Sequence, residues 1–267
     1  MAISYLVTKI PGVGYLQTLA RTRGWPYVAS CAQRISGVLL VLYVCFHIIT
    51  LSVLRNPGDF DSKMRFFESF LPGFLEWLLA VPVIYHALNG GRLILYEIFG
   101  NRKDQNLLKW VLGLSVSYTL LLGLFMAMGN QTVSAIFFWV YVTVASGFIA
   151  YLTVMKIRLS GASFSWKLHR ITGAFLFLMI PAHMLFMHLD PAIGRDAQVI
   201  ITRMDNIFIK LIDLVLVISV LYHGAYGLIG ICRDYLPSRR TQVVCTAFIV
   251  FVTGFFAWMG VKLTVLI

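Results

Sequence analysis

Residues 34–54 read RISGVLLVLYVCFHIITLSVL: one arginine, two small residues, and an apolar run interrupted in its interior by a single histidine, His47. About 20 such residues cross a hydrocarbon layer of about 30 Å at 1.5 Å per residue. No period-two alternation competes with a helix. Working outward, the same kind of run recurs at Leu75–Leu95, Leu107–Met128, Val133–Met155, Ile171–Leu189, Ile207–Ile231 and Val243–Leu266. With Ile35–Leu54 this predicts an all-α transmembrane fold, a bundle of seven helices. Pro82 and Pro181 fall inside the second and fifth spans, where a membrane helix tolerates them as kinks.

Composition excludes the competing classes. Of 267 residues, 59% are apolar and 12% charged, against about 25% charged in soluble domains. The net charge of +11 belongs to membrane-flanking loops and not to a nucleic-acid site. With the N-terminus inside, fourteen Lys and Arg fall on the inner side and seven on the outer, which predicts an N-in, C-out chain. Cys31, Cys45, Cys232 and Cys245 form no CxxC or CxxCH, so zinc, thiolate-cluster and covalent-haem ligation are set aside in favour of buried apolar thiols. Lys9, Arg21, Arg23 and two prolines interrupt any signal-peptide core, so the N-terminal segment is expected to be retained.

The chain also repeats itself. Arg34-Ile35-Ser36-Gly37 precedes His47 by the spacing at which Arg170-Ile171-Thr172-Gly173 precedes His183. Each copy then carries a second histidine with a glycine four positions on, His86 with Gly90 and His223 with Gly227. The first two spans therefore parallel the fifth and sixth. The predicted organisation is a cytoplasmic segment (1–33), a three-helix repeat (34–130), a linking helix (131–156) and a second three-helix repeat (157–267).

Histidine in hydrocarbon is costly and demands a partner. A lone one is more often a hydrogen-bonded packing residue, but four in a duplicated pattern point elsewhere. Neutral imidazole is a common axial ligand of haem iron. Depth along the helices pairs the four. His47 and His183 lie about 10–12 Å from the outer border, and His86 and His223 about 15–17 Å from the inner one. Two haem b groups, each between two imidazoles, suit electron transfer because no iron position is left open. Gly90 and Gly227, on the same faces as His86 and His223, would let a flat macrocycle or a helix approach.

At these residues the chain resembles the membrane anchor of succinate dehydrogenase or fumarate reductase, the succinate:quinone oxidoreductases. Ala29-Ser30-Cys31-Ala32-Gln33-Arg34-Ile35-Ser36-Gly37 is similar to the first anchor subunit's Ser-x-x-His-Arg-x-[ST]-Gly signature, with Gln33 where the histidine stands. His169-Arg170-Ile171-Thr172-Gly173 keeps it. Tyr85-His86 through Gly90 and Arg92 resembles that subunit's second helix, and His223 through Asp234-Tyr235 resembles the partner anchor subunit. The whole looks like both anchors fused, with the fourth span and the Gly129-Asn130-Gln131-Thr132 turn before it restoring the second copy's direction.

The resemblance implies an iron–sulfur subunit and an FAD-containing flavoprotein docked on the cytoplasmic side of a bacterial or archaeal membrane. It also implies a bound quinone, with two haems favouring menaquinone over ubiquinone by family habit. A higher oligomer of the complex is compatible with it. The anchor alone would not oxidise succinate. Ser30, Arg34, Asp234 and Tyr235 match positions that contact quinone, although Arg34 also suits a positive-inside flank and Tyr235 an interfacial anchor. Arg92, His169 and Arg170 are the basic groups nearest the inner haem's propionates, with the same positive-inside alternative. Glu76 and Asp213 are intramembrane acids open to either proton transfer or interfacial placement, and His188 reads as interfacial. Leu221 stands where some two-haem relatives carry a proton-conducting glutamate, so that route is not expected. Two other readings stay open: the cytochrome b anchor of another quinone-linked dehydrogenase, and a haem-free duplicated transporter or scaffold.

Overall fold

The computed structural model describes residues 22–67, 69–101, 103–128 and 134–266. Its helices are α1 (Trp25–Ser52), α2 (Pro57–Phe67), α3 (Phe70–Glu97), α4 (Asp104–Met128), α5 (Ala135–Ile157), α6 (Phe164–Leu189), α7 (Pro191–Arg195), α8 (Ala197–Met204), α9 (Ile207–Tyr235) and α10 (Arg239–Leu266). The described residues hold no strand. Seven helices are long and apolar enough to cross a membrane, so this is an integral membrane protein. The Gly129–Thr132 turn and most of the N-terminal segment lie outside the described residues.

Helix ends follow local chemistry. Pro26 sits in the first turn of α1 after Gly24, whose φ of 84° suits glycine. Ser134, Ser163 and Asn206 accept hydrogen bonds from the first backbone N–H groups of α5, α6 and α9. Several helices outrun their apolar cores. α1 starts ten residues before Ile35, and its 28 residues reach about 42 Å. Backbone hydrogen bonding continues into the headgroup layer, where hydropathy no longer marks it. Pro82 and Pro181 lie inside unbroken helices.

Four helices form the centre. Each of α1, α3, α6 and α9 packs on two others in the cyclic order α1–α3–α6–α9, leaving α1 and α6 on one diagonal and α3 and α9 on the other. α4 leans on α3 and α6, α5 on α6, and α10 on α9 and α1. The lipid-facing surface is apolar, with Phe46, Leu120, Phe137, Val144, Phe148 and Phe251 exposed. The interior is more polar: Ser36, Asn89, Arg92, Ser115, Ser146, Thr153 and Thr172 are buried.

α2, α7 and α8 cap the end of the bundle where α1 finishes. Asp61 of α2 accepts from the backbone N–H of Ala197 at 2.9 Å, and Phe60, Met64, Ala197 and Ile200 join the main apolar cluster. The cysteines depart from expectation. All four are half-buried, and the Cys232 and Cys245 sulfurs lie 2.7 Å apart between α9 and α10.

Candidate functional site

The central square carries one of the four paired histidines on each helix. His47 of α1 faces His183 of α6 across one diagonal, ring centres 6.4 Å apart and planes at 87°. His86 of α3 faces His223 of α9 across the other, at 6.3 Å and 89°. These are the partners that depth arithmetic selected. Because His86 contacts the Gln33–Ser36 turn of α1, His47 lies about eleven residues, or ~16 Å, farther along that helix.

With the end where α1 begins named the inner one, as the charge count expects, the inner imidazoles, His86 and His223, are oriented by main chain. His86 Nδ1 is 3.2 Å from the Gln33 carbonyl and 3.1 Å from Ser36 Oγ. A carbonyl can only accept, so Nδ1 carries the proton and Nε2 keeps its lone pair. His223 Nδ1 stands 3.4 Å from the His169 carbonyl in the same relation. Gly37 and Gly173 make this approach feasible. A Cβ on Gly37 would come within 3.1 Å of His86 Cε1, and one on Gly173 within 3.0 Å of His223 Cε1. The glycines chosen from the sequence do less: a Cβ at Gly90 would meet Gln33 at 3.7 Å, and one at Gly227 would meet nothing within 4 Å.

The residues expected beside the inner pair are assembled, with partners already in hand. Arg92 is 3% exposed, donates to Asp104 at 2.6 Å and to Asn89 Oδ1 at 2.8 Å. Asn89 in turn donates to Gln33 Oε1 at 2.9 Å, and Gln33 to the His86 carbonyl at 3.1 Å. Gln33 thus ties the departure from the family signature into a buried polar chain. Arg170 pairs with Glu97 at 2.6 Å and lies 5.3 Å over the Trp166 ring. His169 stacks on His223, centres 4.3 Å apart and planes within 9°, and on Tyr226 at 4.5 Å.

At the inner end, Arg34 gathers the residues expected at a quinone. Its Nη1 donates to Tyr235 Oη at 2.8 Å and its Nη2 to Asp234 at 2.7 Å, 200 residues away in sequence. Ser30 does not join them: its hydroxyl donates to the Pro26 carbonyl at 3.0 Å.

At the outer end, Glu76 and His188 meet each other. Glu76 Oε1 lies 3.1 Å from His188 Nε2, and Oε2 accepts from Arg195 at 2.9 Å. Tyr43 stacks on His47 at 5.6 Å, and Trp139 of α5 lies 5.9 Å from His183. Sequence reading passed over Trp139, Tyr43, Arg195 and Arg203. Trp139 lies on the span treated as a mere link, and Arg195 and Arg203 sit in short helices with no transmembrane signature.

Two imidazoles holding one metal on opposite sides need two bonds of about 2 Å, plus about 1.1 Å from each nitrogen to its ring centre, which makes ~6 Å. Both pairs meet that spacing. Among the described residues no three of His, Cys, Asp and Glu converge on one point, as a cage made wholly of protein ligands would need. A haem supplies most of its iron's ligands itself, so His47 with His183 and His86 with His223 would be enough to hold one group each.

Fold and site define a membrane-spanning helical bundle with two facing imidazole pairs in its centre. The chain belongs to the succinate dehydrogenase/fumarate reductase transmembrane subunit family, whose model matches residues 19–123 and 150–258. It is similar to the succinate dehydrogenase 2 membrane subunit SdhC of Mycobacterium tuberculosis, 29% identical over 91 residues, 33% of this chain and 65% of that protein. It is also similar to the mouse mitochondrial succinate dehydrogenase cytochrome b560 subunit, 33% identical over 78 residues, 27% of this chain and 45% of that protein. The chain thus spans less than two thirds of the length of either relative. No solved structure matches. Membership of this family sets aside the anchor of a different dehydrogenase and a transporter.

Proposed function

We propose that the chain is a dihaem cytochrome b anchor that carries electrons between the iron–sulfur subunit of a succinate:quinone oxidoreductase and a membrane quinone. One observation carries this: two imidazole pairs, 6.3 and 6.4 Å apart, meet across opposite diagonals of one four-helix square. His47 with His183 and His86 with His223 would hold two haem b groups, and each bound iron supplies one-electron redox chemistry. The protein fixes imidazole orientation through the Gln33 and His169 carbonyls and excludes water with the surrounding apolar helices.

Arg34, Asp234 and Tyr235 form the quinone-facing group at the inner end, which offers guanidinium and phenol donors to a carbonyl oxygen. The flavoprotein and iron–sulfur subunits dock on that side, the inner one under an N-in orientation. The division into repeats 34–130 and 157–267 with a linking helix 131–156 is supported by reciprocal contacts. Arg34 of the first repeat pairs with Asp234 of the second, and Arg170 of the second with Glu97 of the first. Two separate family matches, at 19–123 and 150–258, are in keeping with it.

The test is purification of the complex from membranes, with a reduced-minus-oxidised spectrum, haem quantification and lipid extraction. Two b-type haems per chain, co-purifying flavoprotein and iron–sulfur subunits and a bound quinone are expected. A colourless complex would end the proposal.

A further inference from the structure

Arg203, in the outer cap, is a cation that no carboxylate contacts directly. It takes part in none of the ion pairs among the described residues. Its Nη1 donates to the Ile193 carbonyl at 3.2 Å and to the Met187 sulfur at 3.6 Å, and its guanidinium lies 6.0 Å over the Phe186 ring. Its Nε is buried and has no acceptor. Burial pulls its pKa down, and the charge of Asp213 on α9 partly restores it.

The place matters. Phe186 and Met187 follow His183 by three and four residues, so Arg203 sits about one turn, ~5 Å, outward of that imidazole. Trp139, 1% exposed and 5.3 Å from Phe186, also has a buried N–H without an acceptor, and His183 Nδ1 has no partner either. Buried donors are normally satisfied, and a buried charge normally has a counter-charge. Unsatisfied groups lie beside both imidazole pairs, His169 Nδ1 and Arg170 Nε at the inner one, but beside the outer pair they include a guanidinium that no carboxylate binds. The inner pair offers no such cation, because Arg92 and Arg170 are bound to Asp104 and Glu97.

We propose that Arg203 binds a carboxylate of the group clamped between His47 and His183, a haem propionate, with Asp213 offsetting part of its charge. The assignment rests on the dihaem reading. A cation at that carboxylate favours the reduced form, so Arg203 raises the outer haem's midpoint and Asp213 lowers it.

The experiment is a spectroscopic redox titration of the whole complex, wild type against Arg203→Gln, Arg203→Lys and Asp213→Asn. The outer haem is identified as the one missing from His47→Ala. Arg203→Gln is expected to keep two haems and to shift the outer reduction equilibrium at least tenfold toward the oxidised form, 59 mV for one electron. Arg203→Lys should restore most of that shift, and Asp213→Asn should move the same haem the opposite way. Should Arg203→Gln fail to assemble, the Asp213→Asn shift carries the test. Unmoved midpoints, or a shift confined to the inner haem, overturn the assignment. Unmoved midpoints with bound phospholipid lost would place a lipid phosphate on Arg203 and overturn it equally. Absence of haem from the wild-type complex overturns the dihaem reading as well, so the two failures are distinguishable.

Discussion

Arg170 of α6 grips Glu97 of α3 at 2.6 Å, and each stands 136 or 137 positions from a member of the other inner-end pair, Arg34 and Asp234. Each half of the chain supplies the arginine of one pair and the acid of the other. This is the reciprocity of a two-fold interface, where contact i to j implies j to i. The histidines obey it too, since His47 and His183 are 136 apart and His86 and His223 are 137 apart. An axis relating the halves would pass between the rings of each pair, so a symmetric group on that axis meets the same side chain from both sides.

The first prediction follows from that placement. His86→Ala and His223→Ala should each remove one haem and the same one, leaving the other's spectrum intact. His47→Ala and His183→Ala should each remove the other. Haem-to-protein ratios and reduced-minus-oxidised bands of the four variant complexes are the measurement. Loss of a single common band in all four would refute the pairing.

Much of this was legible in the sequence, for a physical reason. Length and hydropathy set the spans, and the repeat set the partners, because a duplicated element places equivalent residues at equal depth. What escaped was whatever carries no periodic apolar signal. The helical stretch from Trp25 to Arg34 runs beyond the apolar core, so the first span was read as starting at Ile35. α7 and α8 are too short to register, and Arg195 and Arg203 count in the sequence only as charges of the outer side. Gly90 and Gly227 were chosen because i and i+4 share a face. The glycines pressed on the imidazoles are instead Gly37 and Gly173, on neighbouring helices that no one-helix argument reaches.

Those two glycines give the second prediction. Gly37→Ala would place a methyl carbon 3.1 Å from His86 Cε1 and Gly173→Ala one 3.0 Å from His223 Cε1, tight enough to move the ring or its helix. Overpacking of this kind costs about 1–3 kcal/mol. Each variant should lower occupancy or shift the midpoint of the inner haem while sparing the outer. Gly230→Ala, where the added carbon meets nothing within 4 Å, is the control and should behave as wild type in haem titration.

Arg34 and Asp234 have side chains 42% and 52% exposed, so their ion pair contributes at most about 1 kcal/mol to stability. Asp234→Asn and Tyr235→Phe should therefore melt within a few degrees of wild type. If these residues face quinone, both variants should raise the quinone KM of the complex several-fold and leave haem content alone. Steady-state quinone reduction beside a thermal melt separates the outcomes. Unchanged quinone kinetics would leave the cluster as a helix-end clasp only.

Arg92 and Asp104 behave differently because the arginine is buried and its acid half-buried. Arg92 is 3% exposed and its partner 22%, with Asn89 and Gln33 extending the chain of bonds to His86. Removing one member of a buried pair strands the other's charge and costs about 3–5 kcal/mol. Arg92→Leu alone and Asp104→Leu alone should each lower the melting temperature of the detergent-solubilised complex markedly. The double replacement should recover most of the loss, since no stranded charge remains. If Arg92 also serves a haem propionate, the double variant will regain stability yet still show a lowered inner-haem midpoint, because the cation is gone in both. Recovery of stability together with a wild-type midpoint would confine Arg92 to holding α3 against the start of α4.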